Sequence, residues 1–148
     1  MSNNKVLVIS GPNLNLLGTR EPEIYGSTTL ETIHKNLEKI ARENNLNISC
    51  RQSNSESEII SWIQKSNNNY AAIIINAGAF THTSIAIKDA LLAFSGEIIE
   101  VHLSNTFKRE PFRHHSFISS ISNGIIIGFG EKSYYLALES LVKKNEKN

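Results

Sequence analysis

Five short apolar segments alternate with helical patterns along this chain, and the alternation limits the fold more than any other feature. The segment AAIIIN, at residues 71–76, is apolar almost throughout, which is typical of a strand buried on both faces of a parallel sheet. The other segments begin near Val6, Ile48, Glu97 and Gly124. Strands that alternate with helices predict a parallel sheet with right-handed crossovers. We therefore expect an α/β fold, a flavodoxin-like three-layer sandwich whose five-stranded parallel sheet has the order 2-1-3-4-5.

Between the strands, apolar residues recur at the spacing of amphipathic helices. The first predicted helix covers residues 27–44, and Thr28 followed by Glu31 predicts a capping box at its start. Three further helices are predicted: one capped by Ser55 with Glu58, one within residues 81–94, and one from Lys132 to Val142.

Composition narrows the class of protein. A chain of 148 residues suits one domain, so we expect residues 1–148 to form a single domain. The net charge of +1 favours neither nucleic acid nor an anionic membrane. The single cysteine, Cys50, excludes an intrachain disulfide and permits a reducing compartment. No apolar run approaches the ~20 residues that span a membrane, and no signal peptide is evident. We expect a cytoplasmic protein.

Polar residues cluster where the predicted strands end. In open α/β sheets, ligands bind beyond the carboxyl ends of the strands. The first strand leads into Asn13 and the long loop GPNLNLLGTREPEIYG, at residues 11–26, which carries Arg20 and Tyr25. The third and fourth strands deliver Asn76, His82, Glu100, His102, Ser104, Arg109 and Arg113. We expect Gln52, Ser53 and Asn54, after the second strand, to lie too far out to matter.

Each of these residues also has a purely structural interpretation. A histidine at a strand end is usually a hydrogen-bonded polar residue, and a tyrosine before a glycine can be a packing anchor. The motifs of nucleotide sites do not occur: there is no GxGxxG after the first strand and no GxxxxGK[ST]. The histidines lack partners at metal-ligand spacing, so no metal site is predicted. The structural interpretation weakens because polar side chains of one chemical kind follow three strands.

Tyrosine, histidine, arginine and asparagine together suit proton abstraction next to a carbonyl. Histidine can donate a proton near neutral pH. Tyrosine, with an ordinary pKa near 10, is a poor base unless a cation lowers that pKa, and Arg20 is near enough in sequence to do so. Asn13 and Asn76 can hold neutral or developing oxygens, and Arg113 suits an anionic substrate. These residues predict an acid/base lyase or isomerase that needs no cofactor, and they do not name its substrate.

Four long motifs give the sequence a close resemblance to a known family. They are GPNLNLLGTREPEIYG, QSNSESEIISWI, INAGAFTHTSIAIKDAL and EVHLSNTFKREPFRHHS. On these motifs the chain resembles the type II 3-dehydroquinate dehydratases of the shikimate pathway, over nearly its whole length. The resemblance implies the trans-elimination of water from 3-dehydroquinate, through an enolate intermediate, to give 3-dehydroshikimate. It also implies no cofactor and a dodecamer of flavodoxin-like subunits built from trimers.

The resemblance also implies roles for individual residues. Tyr25 matches the base, Arg20 the arginine that supports the tyrosinate, and His102 the acid that protonates the departing hydroxyl. Glu100 is expected to orient His102, and Asn13 to help hold the enolate. The expected substrate contacts are Asn76, His82, Leu103, Ser104 and Arg113, with Asp89 reaching the site of a neighbouring subunit. The alternative is a non-catalytic paralogue that binds small anions on the same fold.

Overall fold

The protein is an α/β sandwich around a five-stranded parallel sheet. A computed structural model describes residues 3–19, 23 and 27–142. The strands are β1 (Lys5–Ser10), β2 (Asn47–Gln52), β3 (Ala72–Asn76), β4 (Glu97–His102) and β5 (Gly124–Ile127). Every pairing between them is parallel, and their order is β2-β1-β3-β4-β5. The fold class and strand order predicted from the alternating pattern are confirmed.

Four helices of the described chain cover the two faces of the sheet. They are α1 (Leu30–Glu43), α2 (Glu56–Ser66), α3 (Ile85–Leu92) and α4 (Lys132–Ser140). The predicted cap of α1 is wrong by one residue. The backbone is extended at Thr29, whose hydroxyl oxygen accepts a hydrogen bond from the N–H of Thr32 at 3.2 Å. The helix therefore begins one residue after Thr29, and Thr28 does not cap it.

Alternating side chains of the strands divide the core into two clusters. Val6 and Val8 of β1 pack with α1 and α4, whereas Leu7 and Ile9 pack with α2 and α3. The central residues of β3, numbers 73–75, are fully buried and supply side chains to both clusters. This is the two-sided burial expected of a central parallel strand. Within the described residues, every helix is too short or too polar to cross a bilayer.

The switch point of the sheet lies between β1 and β3. The chain leaves β1 for β2 on one side and returns to β3 on the other, so the connections diverge there. Ser10 and Asn76 are partners at the ends of these two strands. The following residue, Gly11, lies so close to β3 that a Cβ atom would come within 2.4 Å of the carbonyl oxygen of Ala77. A glycine is needed for the two chain segments to leave the sheet side by side.

Candidate active site

A pocket opens at the carboxyl ends of β1, β3 and β4. The space within it, counted together with the solvent at its mouth, is about 720 Å³. Its walls come from the segment after β1, the turn after β3 and the turns after β4. The lining residues are Pro12, Asn13, Leu14, Leu16, Leu17, Asn76, Gly78, Ala79, His82, His102, Leu103, Ser104, Thr106, Arg109 and Arg113. Two arginines and two histidines are among these lining residues, and none of the described lining residues is acidic. The pocket therefore favours an anionic ligand.

One wall carries a histidine that is held by a buried carboxylate. His102 Nε2 lies 2.6 Å from Glu100 Oε2, and the two residues are 7% and 1% exposed. The same carboxylate accepts hydrogen bonds from Ser116 Oγ at 2.8 Å and from Ser119 Oγ at 2.5 Å. Burial acts to raise the pKa of Glu100, but the hydrogen bond and the charge of His102, followed by the two serine hydroxyls, lower it overall. Glu100 is consequently ionised at neutral pH.

An ionised Glu100 determines which nitrogen of His102 can exchange protons. A carboxylate only accepts hydrogen bonds, so Nε2 of His102 carries a proton and donates it. The other nitrogen, Nδ1, has no hydrogen-bond partner in the described part of the chain, although His102 lines the pocket. The imidazole can therefore take up or release a proton at Nδ1 while Nε2 remains bonded to Glu100. This arrangement suits a general acid.

His82 lies beside His102 and is held in a neutral form. The two rings are stacked, with centroids 6.4 Å apart. His82 Nδ1 is 2.8 Å from the carbonyl oxygen of His115, so Nδ1 donates and Nε2 is left as an acceptor. Burial lowers the pKa of His82 below its ordinary value, and the nearby charges of His102 and Arg113 act in the same direction, against the hydrogen bond to His115. A neutral ring suits contact with a substrate hydroxyl.

Backbone groups and arginines form the anion-binding part of the pocket. The N–H groups of Leu103 and Ser104 have no acceptor among the described residues. Arg113, whose side chain is 21% exposed, donates from Nε to Glu110 Oε1 at 2.8 Å. Arg109 reaches the same region, where one of its terminal nitrogens lies 3.4 Å from Ser104 Oγ. Two unpaired N–H groups beside guanidinium groups are suited to a carboxylate.

The opposite wall begins at Asn13, which has a left-handed backbone with φ of 69°. Its N–H donates to Asn54 Oδ1 at 3.0 Å. Gln52 Nε2 donates to the carbonyl oxygen of Gly11 at 3.0 Å and to Asn54 Oδ1 at 3.1 Å. The expectation that the residues after β2 lie too far out is therefore wrong. Since β2 is the neighbour of β1, amides at its end reach the segment that carries Asn13.

Comparison with known proteins identifies the family. The family model described as "Dehydroquinase class II" matches residues 4–142. A 3-dehydroquinate dehydratase of Prochlorococcus marinus subsp. pastoris is 55% identical over 138 residues, which are 93% of this chain and 94% of the relative. The chain belongs to the class II dehydroquinase family.

Solved structures of class II dehydroquinases agree with this assignment. The type II dehydroquinase of Butyrivibrio crossotus superposes with a TM-score of 0.93 at 44% identity, covering 97% of this chain and 100% of that one. The enzyme of Propionibacterium acnes gives 0.91 at 44% identity, with 96% and 97% covered. The family and the hydro-lyase class predicted from the motifs are confirmed. The alternative of a non-catalytic paralogue is not favoured at this level of identity.

The predicted residues of the dehydroquinase site fall into three groups. Those that line the pocket are Asn13, Asn76, His82, His102, Leu103, Ser104 and Arg113, and Glu100 lies behind His102. Asp89 is exposed on α3 and does not line the pocket of its own chain. The expected base and its cation, Tyr25 and Arg20, lie outside the described residues. Their roles stay predictions.

Sequence reasoning missed the two serines that bind Glu100. Ser116 and Ser119 come from the segment between β4 and β5, which contains no long helix or strand. A search limited to residues directly after the strands could not find them. The available signal was their spacing of three residues, which places both hydroxyls on one side of a short turn.

Proposed function

We propose that this chain is a type II 3-dehydroquinate dehydratase that removes water by trans-elimination through an enolate. The observation that carries this proposal is the Glu100–His102 pair in the wall of a cationic pocket. An elimination needs one group to remove a proton and another to protonate the leaving hydroxyl. His102 is the acid, and Glu100 fixes the imidazole and stabilises its charged form.

The base is Tyr25, and Arg20 is the cation that lowers its pKa. Both follow β1 in the sequence, and the family resemblance assigns these roles. The phenolate removes the proton next to the ketone, which gives an enolate whose negative charge is on the former carbonyl oxygen. Asn13 helps to hold that oxygen, and the side chain of Asn13 has no other hydrogen-bond partner among the described residues.

The substrate is oriented by groups on the other strands. Its carboxylate binds to the N–H groups of Leu103 and Ser104, where no acidic side chain of the described lining competes for them. Arg113 supplies positive charge, while Asn76 and His82 contact the ring hydroxyls. No step of this sequence requires a cofactor or a metal, because the proton transfers are carried out by side chains.

We also propose that the enzyme acts in the cytoplasm as a dodecamer built from trimers, each chain being a single catalytic domain. The exposed surface of α3 supports a contact between subunits. Ile85 and Leu92 of this helix are 57% and 59% exposed, and Asp89 lies between them in sequence. Burying these apolar side chains against another copy would carry Asp89 to a neighbouring site. Light scattering combined with activity measurements at decreasing protein concentration tests this assembly.

The test of the function is a direct assay with 3-dehydroquinate. The product is an enone with ultraviolet absorbance, so its appearance can be followed continuously. We expect turnover by the purified protein and a kcat that is roughly 10²- to 10⁴-fold lower in His102→Asn. A protein that binds 3-dehydroquinate in calorimetry without forming the enone would support the anion-binding alternative. An adduct trapped on a lysine by borohydride would replace the enolate route with an imine route.

A further inference from the structure

A buried chain of hydrogen bonds links the helix α4 to the pocket. Tyr134 of α4 is fully buried. Its hydroxyl oxygen lies 2.8 Å from Ser10 Oγ and 3.2 Å from Asn76 Nδ2. Ser10 and Asn76 are the paired residues at the ends of β1 and β3, and Asn76 lines the pocket. Tyr134 therefore contacts both strands at the switch point of the sheet.

One backbone group fixes the direction of the hydrogen bond between Asn76 and Tyr134. The N–H of Gly78 can only donate, and it lies 3.2 Å from Asn76 Oδ1. The amide oxygen of Asn76 must therefore be on that side, which leaves Nδ2 to donate to the hydroxyl oxygen of Tyr134. The hydroxyl groups of Tyr134 and Ser10 share the other bond, in which either oxygen can be the donor. Burial raises the pKa of Tyr134 to about 12, so its hydroxyl keeps its proton at all working pH values.

These bonds use half of the hydrogen-bonding capacity of the Asn76 amide. The side chain has two N–H donors and two acceptor lone pairs, and the protein engages one of each. No other partner of this amide occurs among the described residues. Asn76 is only 3% exposed, so the remaining donor and acceptor have little access to water except through the pocket.

We propose that Tyr134 is a positioning residue that holds the Asn76 amide in the one orientation that presents its second N–H to the bound substrate. This inference rests on the proposed function, which assigns Asn76 to substrate binding. Tyr134 touches no substrate itself. Its hydroxyl binds Nδ2 of the amide and the N–H of Gly78 binds Oδ1, so the amide cannot rotate without breaking both hydrogen bonds.

The next residue of α4 provides a matched control. The hydroxyl of Tyr135 also accepts from an asparagine amide, because Asn36 Nδ2 lies 2.8 Å away. That pair connects α4 to α1 and does not line the pocket. Tyr134→Phe and Tyr135→Phe thus remove the same atom and break the same kind of bond, one next to the pocket and one away from it.

The test is a double-mutant cycle on steady-state kinetics. Loss of one net hydrogen bond corresponds to roughly a fivefold to tenfold effect, which we expect Tyr134→Phe to show as a raised KM with little change in kcat. In an Asn76→Ala background, Tyr134→Phe should have no further effect on KM, since the amide that it positions is gone. Tyr135→Phe should leave both constants unchanged. Equal effects of Tyr134→Phe in both backgrounds, or an equal effect of Tyr135→Phe, would overturn the inference.

Two further measurements keep the test decisive. If Tyr134→Phe does not fold, Ser10→Ala removes only the other hydrogen-bond partner of the Tyr134 hydroxyl, and we expect it to raise KM roughly twofold to threefold, again only when Asn76 is present. If the wild-type protein does not convert 3-dehydroquinate, the proposed function fails, and the side-chain amide resonance of Asn76 in nitrogen-15 spectra still tests the positioning. It should move in Tyr134→Phe or Ser10→Ala and stay fixed in Tyr135→Phe. An unmoved resonance would contradict the role of Tyr134.

Discussion

The two walls of the pocket are built in different ways. The β4 wall consists of Glu100, His102, Ser116 and Ser119, where the buried carboxylate receives hydrogen bonds from three side chains. The β1 wall begins at Asn13, which is exposed and whose backbone N–H is held by one bond to Asn54. In the β4 wall, hydrogen bonds between side chains hold Glu100 and His102 in place. In the β1 wall, contacts to the backbone place a residue whose side chain bonds to no other described residue.

The difference matches the chemistry that we assign to the walls. An acid must keep one orientation while it gives up its proton, and a low-dielectric hydrogen-bond network fixes that orientation before substrate arrives. The side chain of Asn13, which bonds to no other described residue, gains its contacts only from the ligand. We therefore expect substitutions in the β4 wall to alter kcat and the pH dependence, and substitutions of the supports of the β1 wall to alter kcat/KM.

The largest expected effect comes from the proposed base, which follows the β1 wall in the sequence. Tyr25→Phe removes the proposed base and should lower kcat by roughly 10²- to 10⁴-fold. Because the substitution removes a single hydroxyl, the unfolding temperature should stay close to that of the wild type. The measurement is the enone assay with thermal unfolding of the same sample. A kcat near the wild-type value would show that Tyr25 is not the base.

Glu100→Gln removes the negative charge beside His102 with little change in the shape of the side chain. The amide cannot stabilise a protonated His102, so kcat should fall by about 10²-fold, the lower end of the range for general acid catalysis. Glu97→Gln is the matched control, since Glu97 is an exposed residue of the same strand. Equal kcat values in the two variants would show that Glu100 does not act on the acid.

The hydrogen bonds from Ser116 and Ser119 to Glu100 should make the stability of the protein depend on pH. The folded-state pKa of Glu100 lies below its ordinary value of 4.5, so the stability it contributes is fully present above that value and is lost as the pH falls through the folded pKa. Replacing Ser116 and Ser119 by alanine raises the folded pKa towards 4.5. The double variant should be less stable at pH 7 by about 1–3 kcal/mol, and the difference should narrow below pH 4.5. Urea unfolding between pH 7 and 3 measures this, and a difference that does not depend on pH would contradict it.

The smallest effect is expected at the support of the β1 wall. Asn54→Ala removes the acceptor of the Asn13 N–H, which costs about 1 kcal/mol, or roughly fivefold in kcat/KM. Asn44→Ala serves as the control, because its amide bonds to the carbonyl oxygen of Ile40 at the end of α1, away from the pocket. If both variants keep the wild-type kcat/KM, the bond from Asn54 does not position Asn13.

How much the sequence predicts also differs between the parts of the site. The strand order follows from apolar runs and helical periodicity, which are local properties. Asn76 and His102 are found because they end strands, and all strand ends of a parallel sheet meet at one edge. The contacts of Asn54, Ser116 and Tyr134 are made by elements that are distant along the chain. No local pattern carries that information, so only the folded structure reveals which polar atoms support the site.

The division of roles between the walls is tested most directly by a primary isotope effect. The substrate is deuterated at the carbon that loses its proton, and the effect on kcat is compared in Tyr25→Phe and His102→Asn. Losing the base makes cleavage of the carbon–hydrogen bond limiting, whereas losing the acid makes the departure of the hydroxyl limiting. We predict a large isotope effect in Tyr25→Phe and one near unity in His102→Asn. Equal effects, or the reverse order, would contradict the assignment of base and acid to separate walls.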